Sequence, residues 1–220
     1  GRRKIYEKAF LDRDRYKQLK KFAKKESIKC FASAFNEFGL DILKNAKDDW
    51  VKIPSHEAYN LNLIKDALKN FKKVIISAGC LKKKELLRLI KFVKSKKQYK
   101  NKTILLHCVS SYPLKAENCN FKKFEFLKKN FKNIGYSGHF HGIEDSVYAL
   151  SKGATLIEKH FTIDNKLPGR DNKFALNHNQ FSILANYKKL FNNFNTPKGL
   201  DLQKCEIDIF KNYRGRWSKK

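Results

Sequence analysis

Two histidines, one lysine and a recurring serine are the residues whose type and spacing can do chemistry in this chain. His139 closes the string Gly135-Tyr136-Ser137-Gly138-His139, and His160 lies within Glu158-Lys159-His160-Phe161-Thr162. Each follows a short apolar run, so each is expected at the end of a strand. If those strands are consecutive, the two imidazoles meet at one rim. Two imidazoles with no third protein ligand nearby suit an open divalent-metal site, whose other positions take water and substrate oxygen. Nitrogen ligands favour Mn, Fe, Co or Zn over Mg. The alternative at this point is two unconnected histidines capping their strands. His141 and His178 fall in loop or helix-start positions and read as surface residues.

Hydroxyls collect at the same kind of position. Ser33, Ser55, Ser77, Ser110 and Ser137 stand at or just after strand ends, with Lys52 among them and Tyr112 following in Ser110-Ser111-Tyr112-Pro113. Donors converging on a lysine, beside small residues that let the backbone come close, suit a phosphate or a carboxylate. Taken singly, each serine is an ordinary turn former; their convergence is what points to a site. Glu57, flanked by Lys52 and Ser55, suits a general base or a group that orients a hydroxyl. It equally suits a helix start favoured by the macrodipole. Asp171, in Leu167-Pro168-Gly169-Arg170-Asp171, is placed to bind hydroxyls or close the site, or is a plain turn aspartate.

The elements that must position these groups are legible as a rhythm. Apolar, β-branched runs start at residues 28, 50, 73, 103, 133 and 155: Ile28–Ser33, Trp50–Ile53, Lys73–Ser77, Thr103–Val109, Asn133–Ser137 and Thr155–His160. Segments of helical periodicity lie between them, such as Leu61, Ile64 and Leu68, or Leu86, Leu87, Ile90 and Val93. That alternation is the βα unit, and it predicts a parallel sheet with right-handed crossovers. Helices are predicted over Asp14–Lys25 and His178–Phe194. Periodicity alone leaves open a doubly wound sheet or an incomplete eight-stranded barrel; in both, functional groups gather at the carboxyl ends of strands. One domain of βα units is predicted over residues 1–196. From Pro197 onward the composition shifts, and residues 197–220 are expected to form an extension with a short helix over Leu202–Phe210.

The formal net charge of +28 on 220 residues invites a nucleic-acid reading. Most lysines, however, fall on the polar sides of predicted helices, as in Lys82-Lys83-Lys84-Glu85-Leu86-Leu87-Arg88, and a solvated surface explains them. A nucleic-acid partner is therefore not expected, although part of the charge suits steering of an anionic substrate. The 5 cysteines are scattered, without a C-x-x-C pair, which excludes a disulfide framework or a zinc ribbon and suggests reduced thiols in the cytoplasm. No apolar run reaches the roughly 18–20 residues of a membrane helix. The chain contains no Met and opens Gly1-Arg2-Arg3, so it reads as a piece of a longer protein.

Five strings together resemble the N-acetylneuraminate (sialic acid) synthase family, which includes legionaminate, pseudaminate and spore-coat polysaccharide synthases. They are Lys52-Ile53-Pro54-Ser55-His56-Glu57, His107-Cys108-Val109-Ser110-Ser111-Tyr112-Pro113, Gly135 to His139, Glu158 to Thr162, and Leu167 to Lys173. The resemblance runs from about Asp14 to Phe194. It implies an α/β fold, the (β/α)8 TIM barrel, here incomplete, with strands three to eight present and the first two absent. It implies that His139 and His160 bind a divalent metal, usually Mn2+. Phosphoenolpyruvate would be held by Ser33, Lys52, Ser55, Ser110, Tyr112 and Ser137. Glu57 would stand beside the reacting carbons and Asp171 near the sugar. The implied reaction condenses phosphoenolpyruvate with an N-acetylmannosamine-like aldehyde to a nonulosonate and phosphate, in a cytoplasmic homodimer.

The departures are specific. Family members begin with two further strands, the second carrying a Lys-Phe-Gln motif, and end in an antifreeze-like domain that lends an arginine to the neighbouring subunit. None of these is found in the 220 residues, which alone are expected to be inactive. Gly138 stands where Asp is frequent, and Asn172 where His is frequent. Two rivals remain: an inactive barrel remnant that binds nucleic acid or acidic glycans through its charge, and a synthase of the ketodeoxyoctonate or deoxyheptulosonate type.

Overall fold

In the computed structural model, which describes residues 11–218, strand and helix alternate as the apolar runs require. The strands are β1 (Trp50–Ile53), β2 (Lys73–Ser77), β3 (Thr103–Cys108), β4 (Ile134–Gly138) and β5 (Ile157–Lys159). All four pairings are parallel and the spatial order is β1-β2-β3-β4-β5. A doubly wound sheet reverses its strand order at a switch point. No reversal occurs here, so the sheet winds in one direction, as a segment of a barrel does.

The helices are α1 (Arg13–Lys25), α2 (Glu37–Asn45), α3 (Leu61–Asn70), α4 (Lys83–Lys94), α5 (Lys97–Lys102), α6 (Phe121–Asn130), α7 (Glu144–Ser151), α8 (His178–Phe194) and α9 (Ile207–Asn212). Their starts follow capping chemistry. Asp12 accepts from the amides of Asp14 and Arg15, at 3.1 and 2.8 Å. Asn60 accepts from Leu63, and Asn177 pairs with Gln180 in a reciprocal box.

Side chains alternate across each strand, and the two faces have different work. Val51, Ile53, Val74, Ile76, Leu105, Ile134 and Tyr136 enter one continuous core with Leu63, Ile64, Leu68, Leu89, Val93, Phe124 and Leu127 of the helices. The alternate positions carry Lys52, Ser77, Cys108 and Ser137 toward the concave interior. The helix layer is thus the apolar contact, and the interior is where polar groups accumulate. At one end α1 is anchored by a polar clamp, in which the Tyr16 hydroxyl and the Lys20 ammonium both bond the carboxylate of Asp48.

Two sequence expectations need correction. Ile28–Ser33 is not a strand; it contributes a single parallel bridge, Ser33 to Lys52, with Ala34 N–H on the Lys52 carbonyl at 2.9 Å. Its would-be partner β1 begins only at Trp50, opposite Phe31 in this register, so residues 28–30 overshoot the available ladder, and Ile28 is exposed. The helical stretch in the tail starts two residues later than Leu202–Phe210: a 3-10 turn over Lys204–Glu206 leads into the α-helix Ile207–Asn212. Residues 197–218 bury no side chain, consistent with an extension lying outside the core.

Candidate active site

The carboxyl ends of all five strands converge. A cavity of about 160 Å³ is lined by Ser33, Phe35, Lys52, Pro54, Ser55, His56, Ser77, Cys108, Tyr112, Ser137, His139, Glu158 and His160. A second hollow of about 310 Å³ shares Ser33, Lys52, Glu158 and His160 with it. Seven of the sequence-predicted site residues therefore face one space: Ser33, Lys52, Ser55, Tyr112, Ser137, His139 and His160.

His139 and His160 follow the paired ends of β4 and β5, where Gly138 lies opposite Lys159. Their ring centroids are 5.5 Å apart. The Nδ1 of His139 is 3.0 Å from the carbonyl of Val109. A carbonyl only accepts, so Nδ1 carries the proton and Nε2 keeps its lone pair. The Nδ1 of His160 lies 3.7 Å from Oδ2 of Asp171, which favours the same tautomer. Burial pushes both imidazoles below their ordinary pKa, partly opposed by the Val109 carbonyl for His139 and by Asp171 for His160. Both are therefore neutral at pH 7. Tyr112 packs against His139 at 4.1 Å between centroids, and Phe174 against His160 at 5.2 Å, so the rings are held in place.

These donors fit a divalent cation: two neutral imidazoles, each with an acceptor behind it that fixes its orientation. Among the described residues no group of three or more His, Cys, Asp or Glu is arranged to hold a metal ion. Any further ligand positions would fall to water or substrate.

The side of the cavity opposite the imidazoles is built on serines. The hydroxyl of Ser137 donates to Oε1 of Glu158 at 2.8 Å, and Lys52 forms an ion pair with the same oxygen. Gly79, just after β2, has Ser55 Oγ 2.5 Å and Ser110 Oγ 2.8 Å from where a Cβ would stand. Ser110 thus joins the site through this glycine gap, which no other residue type leaves open. Asp171 joins through His160. Glu57 does not line the cavity; its carboxylate receives the Asn60 amide at 3.4 Å. His141 and His178 are exposed.

Sequence reasoning counted Ser77 among the strand-end hydroxyls without assigning it a ligand, and gave Glu158 no role. Ser77 is 2 % exposed, lines the cavity, and its Oγ has no hydrogen-bond partner. A buried hydroxyl left unpaired costs free energy unless a ligand completes it. Its place at a strand end was the available signal. Glu158 faces the interior by strand alternation from Lys159 and pairs with Lys52, which is 106 residues away in sequence; no local pattern announces that pairing.

The NeuB family model matches residues 2–194. Over 182 residues the chain is 34% identical to the N,N'-diacetyllegionaminic acid synthase of Campylobacter jejuni, covering 82% of this chain and 54% of that protein. A pseudaminic acid synthase of the same species is 32% identical, with 82% and 52% covered. The N-acetylneuraminate-9-phosphate synthase of Drosophila melanogaster is 32% identical over 175 residues, with 79% and 46% covered. The chain spans about half the length of these curated relatives. Among solved structures, a sialic acid synthetase from Leptospira borgpetersenii superposes with a TM-score of 0.83 at 30% identity, over 95% of this chain and 72% of that one. A phospho-2-dehydro-3-deoxyheptonate aldolase from Thermotoga maritima shares the fold, with a TM-score of 0.68 at 19% identity over 84% of this chain and 57% of that one.

Proposed function

The chain belongs to the NeuB family, and from that premise we propose that its site serves the condensation of phosphoenolpyruvate with an open-chain N-acetylated amino-sugar aldehyde. The products are a nonulosonate of the sialic acid type and phosphate. The observation that carries this reading is the meeting of His139 and His160 beside Lys52, Ser55, Ser77 and Ser137 in one cavity.

His139 and His160 would hold a divalent cation, Mn2+ by family resemblance. Such a cation supplies Lewis-acid polarisation of the aldehyde oxygen. Lys52 and the hydroxyls of Ser55, Ser110 and Ser137 would bind the phosphate and carboxylate of phosphoenolpyruvate, with Ser33 and Tyr112 at the edge of the same pocket. Ser77 offers an unpaired hydroxyl to the same anion. The new C–C bond joins C3 of phosphoenolpyruvate to the aldehyde carbon; water adds at C2, and the tetrahedral carbon expels phosphate by C–O cleavage. Fixed donors around the phosphate favour this charge development because they need no reorganisation, an effect worth several kcal/mol. Asp171, beside His160, would stand near the sugar. Glu57 would act only if substrate draws it toward the cavity.

The deoxyheptulosonate-type alternative rests on fold likeness alone. The basic binding-module alternative gains nothing from the surface: exposed lysines such as Lys17, Lys84, Lys122 and Lys189 are carried by four different helices. Calorimetric titration of phosphoenolpyruvate into the chain with Mn2+ present tests the proposal. Binding that weakens in Lys52→Met and in His139→Ala is expected; binding indifferent to both substitutions contradicts it. No helix among the described residues is long and apolar enough to cross a membrane.

A further inference from the structure

Behind the two imidazoles, between the sheet and α7, lies a buried ion pair with no direct part in the proposed chemistry. Lys159 follows Glu158 and precedes His160, and strand alternation sends its side chain away from the cavity. Its Nζ is 3.1 and 3.3 Å from the two carboxylate oxygens of Asp145, with side chains 2% and 1% exposed. The carboxylate is otherwise saturated. Oδ1 accepts from Ser146 N–H at 2.7 Å and from its hydroxyl at 3.1 Å, and Oδ2 accepts from the Tyr136 hydroxyl at 3.1 Å.

The remaining bond of the ammonium is the informative one. Lys159 Nζ donates to the carbonyl of Phe140 at 2.7 Å, and Phe140 directly follows His139. The same short segment is pinned from its other side, where Leu114 N–H donates to the His139 carbonyl at 2.9 Å and Leu114 bridges Phe140. One buried ammonium therefore joins the strand that carries His160 to the backbone that carries His139.

We propose that Lys159, oriented by Asp145, is a positioning residue that sets the separation of His139 and His160. The use of that separation to hold a metal rests on the functional reading above; the tie itself does not. Stability alone is a poor reason to keep such a pair, because replacing a buried ion pair by apolar groups of similar volume is often neutral or stabilising. Gly138 belongs to the same arrangement. A Cβ there would stand 2.3 Å from Asp145 Oδ2 and 2.7 Å from Cε1 of the buried Tyr136 ring, so glycine leaves room for the carboxylate and the ring together.

The test is NMR of the imidazole nitrogens in the full 220-residue chain, with the exposed His178 as the reference signal. In Lys159→Met/Asp145→Leu, which keeps the volume apolar, cooperative unfolding should persist while the His139 and His160 resonances shift. In Asp145→Ala the same two signals should shift. Unmoved His139 and His160 signals in the apolar pair variant would overturn the proposal. So would loss of the His178 reference signal together with them. Mn2+ added to the unaltered chain should broaden those two resonances, with affinity about ten- to a hundredfold weaker in Lys159→Met. If Mn2+ broadens neither, the metal reading fails, while the shifts still decide the positioning role.

Discussion

Lys52 on β1 and Glu158 on β5 form an ion pair across the concave face of the sheet, joining its two outermost strands. Ser137 donates to the same carboxylate oxygen at 2.8 Å. The cation proposed to receive a phosphate is thus already engaged by a carboxylate, and any anion entering must compete with Glu158.

Competition of that kind has a measurable sign. Lys52→Met should weaken phosphoenolpyruvate binding by about ten- to a hundredfold, since hydrogen bonds to charged groups contribute roughly 1.5–3 kcal/mol. Glu158→Gln should strengthen the binding of inorganic phosphate, because Lys52 then keeps an unshared charge. Calorimetry on both variants reads this directly; phosphate affinity that falls in Glu158→Gln would show that the carboxylate assists the anion rather than opposing it.

Gly79 separates binding from folding. A methyl group there would stand 2.5 Å from Ser55 Oγ and 2.8 Å from Ser110 Oγ. Both atoms end short rotatable side chains, so the fold should tolerate Gly79→Ala at a cost of about 1 kcal/mol. Phosphoenolpyruvate binding should nevertheless fall about tenfold or more, because the gap between the two hydroxyls is filled. A urea titration and a binding titration on the same sample make the comparison.

Acid sensitivity should trace to a histidine outside the site. His107 is fully buried among Phe121, Phe124 and Tyr136, and its Nε2 lies 2.8 Å from the carbonyl of Cys119. Its Nδ1 has no partner, so protonation would bury an unpaired N–H. Burial, its largest influence, pushes the imidazole down to about 4. Between pH 6.5 and 4 the unfolded chain binds the proton more readily than the folded one. Stability from this group is therefore complete above pH 6.5 and is lost as the pH falls toward 4, by about 3 kcal/mol. Urea midpoints measured across that range should decline in the parent and decline less steeply in His107→Gln.

Much of this was legible in the sequence because it is periodic. β1 and β2 fall where their apolar runs predict, since a strand covered by helices must be apolar at successive positions. The rim also emerged, because residues at strand ends share a face whichever parallel architecture holds. What stayed hidden depends on partners distant along the chain. Ile28–Ser33 has a strand-like composition, but β1 is too short to reach its first half. Glu158 acquires its role only from Lys52, and Gly138 only from the carboxylate of Asp145 behind it. Strand order, which separated a barrel segment from a doubly wound sheet, is likewise a property of the assembled sheet.

The most direct test of the central claim is an electron paramagnetic resonance titration of Mn2+ into the chain, following the signal of the free aqueous ion. The expected result is saturable binding near one ion per chain, lost in both His139→Ala and His160→Ala. Binding that survives both substitutions unchanged, or no binding at millimolar metal, would contradict a cation shared by these two imidazoles.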